Sequence, residues 1–128
     1  MALSSAPSVT YNAAGNVLAT TTSIAGGASN TAGVVDASSN SLGAWVQVTA
    51  TGGGTVGATN GCQVSVFPAG SSTPNYDTIP MWVYQIPLTV STAARASILL
   101  PTGKYAFTLT NLDGTNAITA GITSSPIA

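Results

Sequence analysis

The run Lys104-Tyr105-Ala106-Phe107-Thr108-Leu109-Thr110 alternates with a period of two. Tyr105, Phe107 and Leu109 fall on one side; Lys104, Ala106, Thr108 and Thr110 fall on the other. Aromatic and apolar residues at that spacing define a half-buried strand. The flanking residues agree. Ala96-Ser97-Ile98-Leu99-Leu100 is a short apolar run, followed by Pro101-Thr102-Gly103 as turn material. Asn111 to Asn116 supplies the next turn, and its Asp113-Gly114 pair suits a turn that needs positive φ. Ala117 to Thr123 alternates again, with Ile118, Ala120 and Ile122 on one face. These segments predict three antiparallel strands in a meander. Its oily face has to be covered by a second sheet.

The rest of the chain repeats this grammar. Residues 1–8 read as an arm ending near Pro7, and residues 9–128 as one domain. Arms of this kind stay loose unless a neighbour captures them. Ser8 to Asn12 and Val17 to Ile24 have strand character, with a turn over Ala13 to Asn16 between them. Ala25 to Gly33 reads as a Gly-rich loop, followed by a short strand at Val34 to Asp36. Leu42 to Thr51 is a strong strand that sets Val46, Val48 and Ala50 against Trp45, Gln47 and Thr49. Gly52 to Gly61 connects it to a strand ending at Phe67, and Ser71 to Thr78 reads as an irregular crossover. Ile79 to Val90 carries Pro80 and Pro87, which cannot donate to a ladder, so an edge strand or a bulge is expected there. Residues 124–128 read as a tail. About eight strands, with turns every 8 to 14 residues or so and no helical period, predict an all-β antiparallel sandwich, jelly-roll or immunoglobulin-like.

Composition limits function. Five residues are charged, Asp36, Asp77, Arg95, Lys104 and Asp113. That is 4% of the chain, against about 25% in an ordinary domain. Such a surface has little charge repulsion to keep copies apart. Covering it against a partner desolvates few ions. An assembly protein that forms a homo-oligomer is the reading that follows. Two basic residues cannot displace the counterions of nucleic acid, so nucleic acid is not an expected partner. An anionic membrane surface is disfavoured for the same reason. No run approaches the roughly 18 apolar residues of a membrane helix. The first residues lack the basic and apolar regions of a secretory signal.

The groups of covalent and metal chemistry are sparse. The chain has no histidine, which removes Ser-His-Asp and Cys-His arrangements. Metal sites built on histidine go with them. The single cysteine, Cys62, alternates with Val64 and Val66, so a small buried thiol is expected. Asp36, Asp77 and Asp113 show no spacing that favours a glycosidase pair or a calcium site, and Asp113 and Asp77 suit turns. Arg95 and Lys104 flank the Pro101 turn, where they would either repel as cross-strand neighbours or pair with acids across a subunit boundary. No catalytic residue, cofactor site or metal site is expected.

The aromatic residues are the candidates for contact. Trp82 and Tyr84 share a face of their strand opposite Met81 and Val83. With Trp45 and Tyr76 they are the expected interface residues, or, if solvent-facing, platforms for sugar rings.

The stretch Leu100-Pro101-Thr102-Gly103-Lys104-Tyr105-Ala106-Phe107-Thr108-Leu109-Thr110-Asn111-Leu112-Asp113-Gly114 lies in a short all-β chain that starts with Met and is rich in Thr, Ser, Gly and Ala. In style it resembles small virion proteins of tailed bacteriophages, in particular capsid decoration (cement) proteins. The resemblance implies a non-enzymatic protein, made in the host cytoplasm and carried on the virion. There it would brace neighbouring subunits of the major capsid protein, or contact other virion proteins. It maps no individual residue onto a known functional position. The other reading is a carbohydrate-binding or host-attachment module of a tail or fibre.

Overall fold

A computed structural model describes residues 15–39, 42–53, 61–69 and 76–127. Eight strands follow one another: β1 (Gly15–Ile24), β2 (Ser29–Asp36), β3 (Ala44–Gly52), β4 (Cys62–Pro68), β5 (Trp82–Ile86), β6 (Ala93–Leu100), β7 (Lys104–Asn111) and β8 (Ile118–Pro126). Among the described residues there is no helix. Two four-stranded antiparallel sheets, β1-β8-β3-β6 and β2-β7-β4-β5, pack face to face.

The pairing has a simple rule. β1 pairs with β8, β2 with β7, β3 with β6 and β4 with β5. These are the rungs of one long hairpin that turns back between β4 and β5. Wrapping that hairpin brings β8 beside β3 and β7 beside β4. Every connection except β4–β5 therefore crosses between sheets. The fold is an eight-stranded jelly roll, and this strand order decides between the two sandwiches that the sequence allows.

The alternating residues meet in the middle. Val46, Val48 and Ala50 of β3 are fully buried, as are Val64 and Val66 of β4 and Phe107 and Leu109 of β7. Ile118, Ala120 and Ile122 of β8 join the same cluster. Fully burying a Val, Leu, Ile or Phe side chain contributes roughly 1.5–3 kcal/mol, so this two-sided apolar layer dominates the stability.

Several expectations are corrected. The meander does not form: β6 and β8 lie in one sheet and β7 in the other. Period-two alternation reports which face is buried, not which strand is next door, and a sandwich buries the same pattern from either side. The turn at Asp113-Gly114 does not use positive φ at Gly114. Instead Asp113 Oδ1 accepts from the backbone N–H groups of Thr115 and Asn116, both at 2.8 Å. Most of the expected loop Ala25 to Gly33 belongs to β2, with only Ala25 to Ala28 left outside a strand. Gly33, at φ 102°, sits where the β2–β7 register slips, so this glycine marks a bulge rather than a loop. The turn expected over Ala13 to Asn16 is strand from Gly15 onward. The expected strand Ile79 to Val90 shortens to Trp82–Ile86, with both prolines outside it. The expected tail is strand as far as Pro126. The arm, the strand Ser8 to Asn12 and most of the Gly52–Gly61 and Ser71–Thr78 connections lie outside the described residues.

Candidate functional site

β5 and β6 are edge strands of different sheets on the same flank of the sandwich. In β5, Trp82 lies opposite Val66, Tyr84 opposite Val64 and Ile86 opposite Cys62. Those three partners are fully buried, so Trp82, Tyr84 and Ile86 point inward. Their burial nevertheless fades along the strand. Ile86 is buried, Tyr84 is half-buried and Trp82 is 41% exposed. In β6 the inward residues behave alike: Leu100 is buried, while Ile98, Ala96 and Ala94 are half-buried. The sheets gape along this flank. The resulting cleft, about 410 Å³, is lined by Trp82, Val83, Tyr84, Ile98 and Leu99.

Every lining residue is apolar or aromatic, and β5 carries no charge along its length. Natural edge strands are commonly protected by Lys, Pro or bulges. Here Pro80 and Pro87 flank β5 on either side, and the strand between them lies at the edge of its sheet. Two polar groups lie beneath the cleft. Cys62 is inaccessible, and burial pushes its thiol up to about 11. Tyr84 Oη is buried without a hydrogen-bond partner among the described residues. Burial, with a smaller contribution from Cys62, pushes the phenol up to about 12.

Trp45 lies elsewhere. On β3 it faces outward, opposite Leu99 of β6 and Ser125 of β8. It is 42% exposed. A shallow cleft of about 240 Å³ above this outer face is lined by Trp45, Gln47, Ser97, Thr123 and Ser125. Tyr76 sits in an isolated bridge with Ala69 and lines neither cleft. The four aromatic residues singled out in the sequence thus divide among three places, and Trp82 and Tyr84 alone share one.

Val83, Ile98 and Leu99 were not among those candidates. Leu99 was detectable: the unbroken run Ile98-Leu99-Leu100 puts an apolar side chain on both faces of one strand. Val83 next to Trp82 carries the same signal.

None of the charged residues lines either cleft, and Asp113 is buried in the β7–β8 loop. Lys104 Nζ lies 3.7 Å from Asp36 Oδ2 within the chain, and these two residues are direct partners on β7 and β2. Arg95 and Lys104 are not cross-strand neighbours, because their strands belong to different sheets. Asp36 is held below the usual carboxylate range first by Ser38, whose hydroxyl donates at 2.6 Å and whose N–H donates at 3.0 Å, and then by Lys104. Among the described residues no three potential metal ligands cluster.

No family model matches the chain, and no curated protein does. Among solved structures it is similar to the CBM22-1-GH10 modules of the Clostridium thermocellum endo-1,4-beta-D-xylanase 10B, a structure complexed with xylohexaose. The TM-score is 0.44 and the identity 16%, over 72% of this chain and 17% of that one. The chain thus spans about a sixth of the length of that protein, and a likeness of this degree carries no argument about ligand or activity.

Proposed function

We propose that this protein is a non-enzymatic assembly subunit, and that its specific role is to decorate a virion, bracing neighbouring coat subunits from the outside. One observation carries the reading: two edge strands, β5 with no charge and β6 with Arg95 alone, border an apolar cleft that the sandwich leaves open. Exposed apolar patches beside unpaired strand edges are typical of surfaces that other chains cover. Trp82 is the anchor, since large aromatic side chains dominate such contacts. Few ions are desolvated when this flank is covered, so the contact draws on apolar burial and backbone pairing. The chain has no histidine, so it lacks the usual general base of hydrolytic chemistry.

The test is co-sedimentation with coat-protein shells from about 50 mM to about 1 M NaCl, a range over which surface ion pairs are screened away. Binding that stays within about twofold across the range and is lost in Trp82→Asp supports the reading. Steep loss at high salt, or full binding by Trp82→Asp, overturns it. Copies per purified particle on a quantified gel separate a shell component from a neck or tail component.

The second reading is a carbohydrate-binding or host-attachment module. The observation that favours it is the outward-facing Trp45 among uncharged polar side chains.

A further inference from the structure

We infer that the outer face of the β1-β8-β3-β6 sheet holds a shallow site for one neutral pyranose ring of a glycan, with Trp45 as its floor. This gives the second reading above a location and a ligand class, and it rests on that reading.

Trp45 stands directly opposite Leu99 on one side and Ser125 on the other. Gln47 stands opposite Ser97 and Thr123 in the same two strands. In antiparallel sheets, direct partners have Cβ atoms about 4.5–5.5 Å apart, and diagonal ones about 7–8 Å. An exposed indole is therefore ringed by three hydroxyls and one amide at distances comparable to the width of a sugar ring. Leu99, 47% exposed, continues the apolar strip beside the indole.

The chemistry of the lining selects the ligand. Four of the five residues around the cleft are polar, so the lining suits a ligand rich in hydroxyls better than an apolar protein knob. None of the five is charged, so phosphate and carboxylate find no counter-charge in the cleft. The nearest cation on this face is Arg95, two residues beyond Ser97 on β6. A pyranose offers a patch of C–H groups to the indole and hydroxyls around its rim. Each serine or threonine hydroxyl can donate once and accept twice, and the Gln47 amide does both. The 3.4 Å contact from Gln47 Nε2 to Ser97 Oγ is long, so it yields readily to a ligand oxygen. At about 240 Å³ the cleft is smaller than typical pockets for drug-sized ligands, about 300–1,000 Å³, and suits one ring. Neighbouring rings of a chain would lie across the flat sheet.

The test uses tryptophan fluorescence of the intact protein, titrated with neutral β-1,4- and α-1,4-linked glucose, mannose and xylose hexaoses and, in parallel, with a uronic-acid oligomer and a sialylated glycan. A Trp82→Phe variant leaves Trp45 as the sole indole reporter. The expected result is a saturable change with at least one hexaose. The corresponding affinity falls tenfold or more in Trp45→Ala and severalfold in Gln47→Ala, measured by calorimetry, and is unchanged in Trp82→Ala. Trp45 is exposed, so its loss leaves the fold intact; Gln47→Ala is the second probe should it not. No saturable response from any hexaose up to about 10 mM, on the scale of the weakest specific contacts, overturns the site. So does a response that requires a uronic or sialic acid and disappears in Arg95→Ala. Glycan binding lost in Trp82→Ala but kept in Trp45→Ala also overturns this site, while leaving a carbohydrate-binding module standing on the other flank.

Discussion

Asn111 Nδ2 donates to the carbonyl of Asn116 at 2.7 Å, and this contact closes the β7–β8 loop from within. The same amide reaches the carbonyls of Ile24 and Ala25, both at 3.2 Å, at the start of the β1–β2 turn. Its Oδ1 accepts from the Asp113 N–H at 3.0 Å. Backbone bonds from Gly27 to Asp113 and from Asn111 to Ala28 run alongside. Asn111 therefore fastens two inter-sheet connections that are distant in sequence, at the end of the sandwich opposite the Pro101 turn. Asn111→Ala removes these bonds at a 1%-exposed position, although the Ala25 carbonyl keeps its bond from the Ala28 N–H at 3.1 Å. At about 1 kcal/mol for each net hydrogen bond, the expected loss is about 2–3 kcal/mol, read from urea unfolding with an unchanged slope.

Tyr84 presents the opposite case. Its hydroxyl is buried and has no partner among the described residues, so it contributes a desolvation cost with no bond to offset it. Tyr84→Phe keeps the ring against Val64 and removes the oxygen. The expected outcome is a protein as stable as the parent or more stable by about 1 kcal/mol. A loss of more than about 1 kcal/mol would show that the hydroxyl is satisfied.

How much of this was legible in the chain depends on what each signal reports. The faces of β3, β7 and β8 were readable because alternation records burial directly, and Val46, Phe107 and Ile122 all sit where it puts them. Sheet membership was not readable, because Phe107 would bury equally well beside Ile98 in a meander or across the core from it. Only the end of β2, Val34 to Asp36, was readable, because Gly26, Gly27 and Gly33 all look like loop residues, although Gly33 serves a bulge within a ladder. Pro80 and Pro87 did announce the edge strand. The open flank was half-announced, since Trp82 and Tyr84 share a face, but the gaping of β6 away from β5 depends on how two sheets splay, which no local pattern encodes.

Gly43 marks a close approach between the β3 entry and the β6–β7 connection. It has φ 83°, and a Cβ placed there would fall on the carbonyl oxygen of Leu100. The backbone cannot withdraw without breaking the bond from Ile127 N to Gly43 O at 2.9 Å. Gly43→Ala should therefore cost at least about 2 kcal/mol, combining left-handed strain with the clash. Gly114→Ala is the control. Gly114 lacks a positive φ, and a Cβ there meets nothing within 4 Å, so its midpoint should move little.

The two groups beneath the open flank also contribute to the alkaline limit of the fold, together with Tyr105, whose phenol is likewise raised by burial. Cys62 rises from an ordinary value of 9.0 to about 11, and Tyr84 from 10.0 to about 12, in both cases chiefly because burial disfavours the anion. Each group holds its proton more tightly folded than unfolded. The stability this represents is complete below the unfolded value and is lost as pH rises through the folded one. Denaturation midpoints should be flat from about pH 7 to about pH 9 and fall between about 9 and 12. Cys62→Ala should remove the earlier part of the fall, beginning near 9, and Tyr84→Phe a share of the later part, beginning near 10, with Tyr105 keeping the rest. The same burial makes the thiol inert in the native protein, since the thiolate is the nucleophile. An aromatic disulfide reagent at about pH 8 should label Cys62 only as fast as the chain opens, and adding urea should speed labelling in step with unfolding. Rapid native labelling would mean that β5 peels away from β4 on its own, which would make the Trp82 flank a moving edge instead of a preformed one.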